Sequence, residues 1–177
     1  MSLLDAILLG IIQGATEFLP ISSSGHLVIG SYLLDINRSN DILFEVIVHL
    51  GTLSAIIYYY KNDIKNLSAG ILSFNKDSIR YLYLIIIATI PAMFIGLCFN
   101  DYIKNLYNIQ FVPYFLVITG FLIFLSYFSN EKPIKLSVIY VLIIGIAQAM
   151  AILPGISRSG ITISIALLLG INRSDAS

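Results

Sequence analysis

Glu17, Ser22, Ser23, Ser24 and His26 fall within ten residues of one another in an otherwise apolar stretch. A carboxylate, three hydroxyls and an imidazole are the groups that proton transfer and nucleophilic attack require. Gln13 lies one helical turn before Glu17, so the two share a face. An ionisable residue in such a helix costs about 3 kcal/mol or more at bilayer depth unless it is paired or hydrated. Glu17 and Gln13 therefore read either as an interhelical hydrogen bond or as a metal-binding or acid–base pair. His26 reads as a satisfied polar contact or, beside the hydroxyls and Glu17, as a nucleophile or general acid. The serines are natural helix N-caps, and a helix N-terminus with free N–H groups is also an anion site, so both readings hold together. Arg158, in Pro154-Gly155-Ile156-Ser157-Arg158-Ser159-Gly160, is the sharpest single signal. A guanidinium in apolar surroundings needs an anion, and Glu17 or a phosphate would serve.

These residues sit in two copies of one segment. Gly10 to Asn40 realigns without a gap on Gly145 to Asp175, 135 positions on, with 13 of 31 positions identical. The shared positions include Gln13/Gln148, Ser22/Ser157, Ser24/Ser159, Gly25/Gly160 and the run Ile36-Asn37-Arg38-Ser39 against Ile171-Asn172-Arg173-Ser174. A duplication among membrane-spanning segments is the sign of an internally symmetric membrane protein with its site where the copies meet.

Composition fits that setting. The chain of 177 residues is 58 % hydrophobic and 11 % charged, with mean hydropathy +0.90, whereas soluble domains carry about 25 % charged residues. Its zero formal charge gives no nucleic-acid signature, and the single Cys98 excludes an intramolecular disulfide. The N-terminus lacks a basic signal-peptide region and reads as mature sequence.

The elements that must position the site follow from hydropathy. Ile42 to Tyr60, Tyr81 to Phe99 and Phe111 to Phe128 are each long enough to span a bilayer and end in tyrosine or phenylalanine anchors. Lys61, Lys65, Lys76 and Arg80, and then Lys132 and Lys135, mark cytoplasmic segments, leaving Lys104 outside. In the first copy, Leu3 to Leu19 breaks at Pro20 and resumes only as Leu27 to Leu34, too short to cross. A re-entrant helix pair over 3–35 is the simplest solution, because broken backbone at membrane depth must be enclosed by protein or line a cavity. The second copy repeats the plan with Leu136 to Leu153, a break at Pro154-Gly155, and Ile161 to Ile171.

Three spans separate the copies, and an odd number inverts the second relative to the first. The expectation is thus an all-α integral membrane protein with an inverted-topology repeat. It forms one membrane domain, 1–177, with a first repeat 1–130 and a second, 134–177, that holds only its re-entrant pair. By the same symmetry three further spans are expected, in a protein of roughly 260 to 270 residues, and the 177 residues alone are expected to be poorly stable and inactive. Gly10-x-x-x-Gly14 and Gly145-x-x-x-Ala149 read as close helix packing. Glu45 and His49 share a helical face and read as a structural pair or as support for the site.

Two motifs carry a family resemblance. QGATEFLPISSSGH has the form (E/Q)xxxEFLPxSSxGH and PGISRSGIT the form PGxSRSxxT; with FEVIVHLGTL they resemble the bacterial undecaprenyl pyrophosphate phosphatase, or bacitracin-resistance, family over essentially the whole chain. The resemblance implies hydrolysis of the C55 isoprenoid pyrophosphate to its monophosphate for lipid-carrier recycling in cell-wall synthesis, in the bacterial plasma (inner) membrane. It implies that Gln13 and Glu17 hold a divalent cation, Mg²⁺ or Ca²⁺, and that Ser23 and His26 take nucleophilic or proton-transfer roles. Arg158 would bind phosphate with Ser22, Ser24, Ser157, Ser159 and Thr162 around it. The expected partners are the pyrophosphate lipid and the bilayer, with no nucleic acid; a homo-oligomer is compatible with the sequence. The rival reading is an inverted-repeat transporter of an anion or lipid phosphate, which would use the arginine and helix ends without needing His26. An assembly or scaffold role leaves both motifs unexplained.

Overall fold

A computed structural model describes residues 1–36, 42–132, 134 and 136–176, with backbone alone for Ile42 and Lys104. Asn37, Arg38, Ser39 and Asn40 of the repeated run, and Lys135, lie outside the described residues. The described chain is helical, with no strand among its described residues. The first half holds α1 (Leu3–Thr16), α2 (Ser23–Leu33), α3 (Ile42–Tyr59), α4 (Lys61–Leu72) and α5 (Lys76–Cys98). Then follow α6 (Asn100–Leu106), α7 (Val112–Tyr127), α8 (Val138–Met150), α9 (Arg158–Leu168) and α10 (Arg173–Ala176).

Many large apolar side chains face outward, beside a small apolar core. Leu43, Val117 and Leu97 are more than 70 % exposed, whereas Gln13, Ser31, Thr119, Ser157 and Ser164 are buried. Apolar side chains outside and hydrogen-bonding ones between helices are the arrangement that hydrocarbon solvent favours. Alone among the described helices, α5 is long and apolar enough to cross a membrane by itself; α3 qualifies only jointly with α4, from which it is bent by 74°. The basic segment after Tyr60 is thus largely a helix, α4, and not an open connector. At 16 residues, α7 is shorter than the span expected from Phe111 to Phe128.

Local sequence explains the helix ends. Ser2 and Asp5 form a capping box at the start of α1. Ser22 and Ser157 cap α2 and α9 by accepting from Gly25 N–H and Gly160 N–H. Both of those helices end in the same way: Ile36 N–H bonds Ser31 C=O, and Ile171 N–H bonds Ala166 C=O. The residue between is left-handed in each, Asp35 at φ 54° and Gly170 at φ 92°. The boundaries of α2 and α9 differ by 135 positions at both ends, the offset of the sequence repeat.

Each copy folds back on itself. Gly30 of α2 leaves room for Leu9 and Ile12 of α1, whose methyls would lie 3.1 and 2.9 Å from an added Cβ. The α8–α9 pair is filled by Ala147, Ile156 and Ile161. Both short helices, α2 and α9, pack on α7. The close packing expected of the small-residue motifs is found in one copy: Gly145 lets α8 approach α5 so closely that a Cβ would meet the Ala88 carbonyl oxygen at 2.5 Å. Gly10 and Gly14 meet no such neighbour among the described residues, because α5 packs on α8 and not on α1.

Candidate functional site

The break after α1 places a carboxylate against a hydroxyl. Glu17 is the C-cap of α1 and Ser23 the first residue of α2, and the turn between them brings Ser23 Oγ to donate to Glu17 Oε2 at 2.5 Å. Gln13 Nε2 donates to the same oxygen at 2.8 Å from one turn back. Gln13 is 1 % exposed, and its carbonyl oxygen Oε1 is buried without a hydrogen-bond partner. Both donors bond Glu17 Oε2, which leaves Gln13 Oε1 and Glu17 Oε1 outside these bonds.

His26 lies one turn into α2. Its Nδ1 is 2.8 Å from the Ser22 carbonyl oxygen. Since a carbonyl only accepts, the neutral ring must carry its proton on Nδ1, and Nε2 keeps a free lone pair. Ser22 pays for several contacts with an unusual backbone, φ 68°. Its Oγ caps Gly25 N–H, lies 3.3 Å from Ser24 Oγ, and accepts from Gly155 N–H of the other copy at 3.2 Å.

That last bond is one of several contacts joining the two breaks. A Cβ on Gly25 would lie 2.9 Å from Gly155 Cα, and one on Gly160 would lie 2.9 Å from the Pro20 carbonyl oxygen. Positions 25 and 160, and 20 and 155, are each 135 apart. The same contact is therefore made twice with the copies exchanged, the relation that a two-fold interface creates. Glycine at 25 is required by this approach, and at 155 also by φ 104°.

On the second side, Arg158 opens α9 and is exposed. Its guanidinium has no hydrogen-bond or ion-pair partner among the described residues, so the pairing with Glu17 that the sequence allowed is not made. Ser157 and Ser159 face each other at 3.3 Å, as Ser22 and Ser24 do. Thr162 spends its hydroxyl on its own helix, donating to Arg158 C=O at 2.8 Å, and lines a cavity of about 210 Å³ with α5 and α8 residues. Among the described residues, no hydrogen bond joins it to the polar residues of the first break. Glu45 and His49 line a separate surface hollow on α3, where His49 Nδ1 donates to Glu45 C=O at 2.8 Å.

One buried residue of this region was not singled out by sequence. Thr119 of α7, 3 % exposed, donates to Gly155 C=O at 2.9 Å and accepts from Ser157 N–H at 3.1 Å. A single threonine in an apolar helix gives no local hint of such bonds.

In chemical terms, the first break offers an acid–base pair and a basic ring nitrogen, and the second offers a free guanidinium. The N-termini of α2 and α9, both capped by serines, begin where the breaks touch. This combination suits a charged phosphorus ester rather than a neutral ligand. The family model for bacitracin resistance protein BacA matches residues 6–177. The chain belongs to the BacA family. Its relatives include proteins named undecaprenyl-diphosphatase. That of Christiangramia forsetii is 40 % identical, with 99 % of this chain and 69 % of the relative aligned. That of Methanococcus maripaludis strain C6 is 42 % identical over 98 % of this chain and 70 % of the relative. That of Halothermothrix orenii is 43 % identical over 99 % and 68 %. BacA membership accounts for both motif segments at once, which neither copy does alone.

Proposed function

We propose that the protein is an undecaprenyl-diphosphatase, hydrolysing the C55 isoprenoid diphosphate to its monophosphate and inorganic phosphate, with bacitracin resistance as a consequence. The observation that carries the reading is the Ser23–Glu17 hydrogen bond beside His26, set against a break that carries an unpaired arginine, in a member of the BacA family. An anion carrier has use for Arg158 but none for a hydroxyl donated to a carboxylate, so the transporter reading is not favoured.

The residues take complementary roles. Arg158 and the N-termini of α2 and α9 neutralise the diphosphate and its transition state, with Ser22, Ser24, Ser157 and Ser159 as the surrounding hydroxyls. Ser23 Oγ attacks the terminal phosphorus and passes its proton to Glu17 Oε2. The bond to the bridging oxygen breaks, and protonated His26 gives its Nε2 proton to that oxygen. Neutral His26 then takes a proton from water, whose oxygen attacks the phosphoserine; the bond from phosphorus to Ser23 Oγ breaks, Glu17 returns its proton to that oxygen, and phosphate leaves.

Gln13 Oε1 and Glu17 Oε1 are the atoms that would hold a divalent cation, Mg²⁺ or Ca²⁺. One carboxylate and one amide oxygen fit a hard ion that takes its other ligands from water and phosphate. Such an ion, when bound, supplies further charge neutralisation at the phosphoryl oxygens.

The same reading makes the enzyme a multi-pass protein of the plasma membrane, its two helix pairs re-entrant and inverted. Support comes from the exchanged contacts 25–155 and 160–20 and from the lysine distribution. Single cysteines in a Cys98→Ser background test it: Asn37 and Asn105 should label from outside intact cells, and Asn66, Ser129 and Asn172 should not. Labelling of Asn37 and Asn172 from one side would overturn the inversion. The chemistry is tested by phosphate release from an isoprenyl diphosphate, with and without divalent cation. An acid-stable phosphoenzyme should be trapped on Ser23. An acid-labile one would move the attack to His26, and no phosphate release would end the reading.

A further inference from the structure

Five threonines occur in the chain, and four of them spend their hydroxyls on their own helices. Thr16 donates to Ile12 C=O, Thr52 to His49 C=O, Thr89 to Ile85 C=O and Thr162 to Arg158 C=O. That back-bonding is the ordinary way to satisfy a hydroxyl in an apolar helix. Thr119 departs from it. Its hydroxyl leaves α7 and makes two bonds to a loop 36 and 38 positions away, as donor to Gly155 C=O and acceptor from Ser157 N–H.

Those bonds close on the peptide groups that lead into Arg158. Gly155 N–H is held by Ser22 of the first break, and Gly155 C=O by Thr119, so the peptides on both sides of this left-handed glycine are fixed from opposite directions. Ser157, the N-cap of α9, is held through its N–H by the same Thr119 oxygen, and the next residue is Arg158. Without the hydroxyl, one buried carbonyl and one buried N–H would lose their partners where no water replaces them, and a loop in that state rearranges. The side chain whose starting point depends on that loop is the guanidinium.

We infer that Thr119 is a positioning residue for phosphate recognition: it sets the Gly155–Ser157 backbone and through it the placement of Arg158. The inference rests on the phosphatase reading of the site, in which Arg158 binds the diphosphate. It is independent of which group attacks phosphorus.

The test uses the full-length protein in lipid nanodiscs, with kcat and KM for an isoprenyl diphosphate and affinity for its methylene-bridged analogue. Thr119→Val keeps the shape and removes both bonds; kcat/KM and analogue affinity should each fall about 10- to 100-fold, the scale of a misplaced binding group. Thr119→Ser should stay within about threefold of wild type, and Thr119→Cys should fall between Ser and Val. In an Arg158→Lys background, Thr119→Val should weaken analogue affinity by no more than about twofold, since the group it places is already compromised. Should Thr119→Val not fold, the Ser and Cys variants still rank the hydroxyl's contribution. Full activity in Thr119→Cys or Thr119→Val, a Ser variant as impaired as Val, or an undiminished effect in the Arg158→Lys background would overturn the inference. Wild-type hydrolysis by Arg158→Ala would instead overturn the site reading beneath it.

Discussion

The two copies of the repeated segment share a frame and differ in what they hang on it. Both have a helix, a break, a serine cap and an 11-residue helix, closed by the same bond between residues five apart. Yet Glu17, Ser23 and His26 of the first copy stand where the second has Ile152, Arg158 and Ile161. At these positions the first copy carries a carboxylate, a hydroxyl and an imidazole, and the second carries one guanidinium between two isoleucines. Under the proposed reaction, chemistry and anion binding fall on two matching scaffolds that meet at their breaks. Geometry diverged as well: Ser22 adopts φ 68° and bonds across to Gly155, whereas Ser157 is ordinary backbone at φ −73°. The reciprocal bond is impossible, because the counterpart of Gly155 is Pro20, which has no N–H to donate.

Removing chemistry from the first copy should have the largest effect. His26→Ala should lower kcat by about 10³-fold with little change in affinity, because it deletes a proton-transfer group and no phosphate contact. Glu17→Gln, which leaves Ser23 Oγ without a basic acceptor, should act similarly and alter the response to divalent cation. Next in size is Arg158→Ala in the second copy, with an expected loss of about 10²-fold in kcat/KM, part of it in KM. Arg158→Lys should recover some of that loss but not all, since an ammonium lacks the guanidinium fork. Equal kinetic signatures for His26 and Arg158 variants would break the division between the copies.

Smaller effects sharpen the comparison of the caps. Ser22→Ala removes a cap and a bridge between copies, and Ser157→Ala removes a cap alone, so Ser22→Ala should destabilise more, by about 2 against about 1 kcal/mol. Thermal unfolding of the two variants in the same detergent gives the order. The smallest difference lies at the helix ends. Asp35→Gly should stabilise by about 0.5 kcal/mol, since glycine accepts φ 54° without penalty, while Gly170→Asp should destabilise by more than that. If both substitutions stabilise, the left-handed positions are not equivalent.

Much of this was legible in the sequence because it is local or repeated. Pro20 and Gly155 announce the breaks, serines the caps, and the 135-residue offset the matching helices. The carboxylate, serine and glutamine came together because Gln13 is one helical turn from Glu17 and a short turn brings Ser23, six residues on, back to the same carboxylate. Long-range choices were not legible. Nothing near Thr119 distinguishes it from a back-bonded threonine, and nothing near Gly10 says that α5 will pack on Gly145 instead. The segment after Tyr60 read as a charged connector, whereas Ile64, Leu67 and Ile71 recur at helical spacing and the structure folds it as α4. Thr162 carried a motif position, yet its hydroxyl is satisfied by its own helix.

The division between copies is tested most directly by binding without turnover. Affinity for a methylene-bridged isoprenyl diphosphate should be measured for the wild type, His26→Ala and Arg158→Ala in the same nanodiscs. The account predicts wild-type affinity, within about threefold, for His26→Ala and a loss of about tenfold or more for Arg158→Ala. Intact affinity in Arg158→Ala together with a large loss in His26→Ala would contradict it.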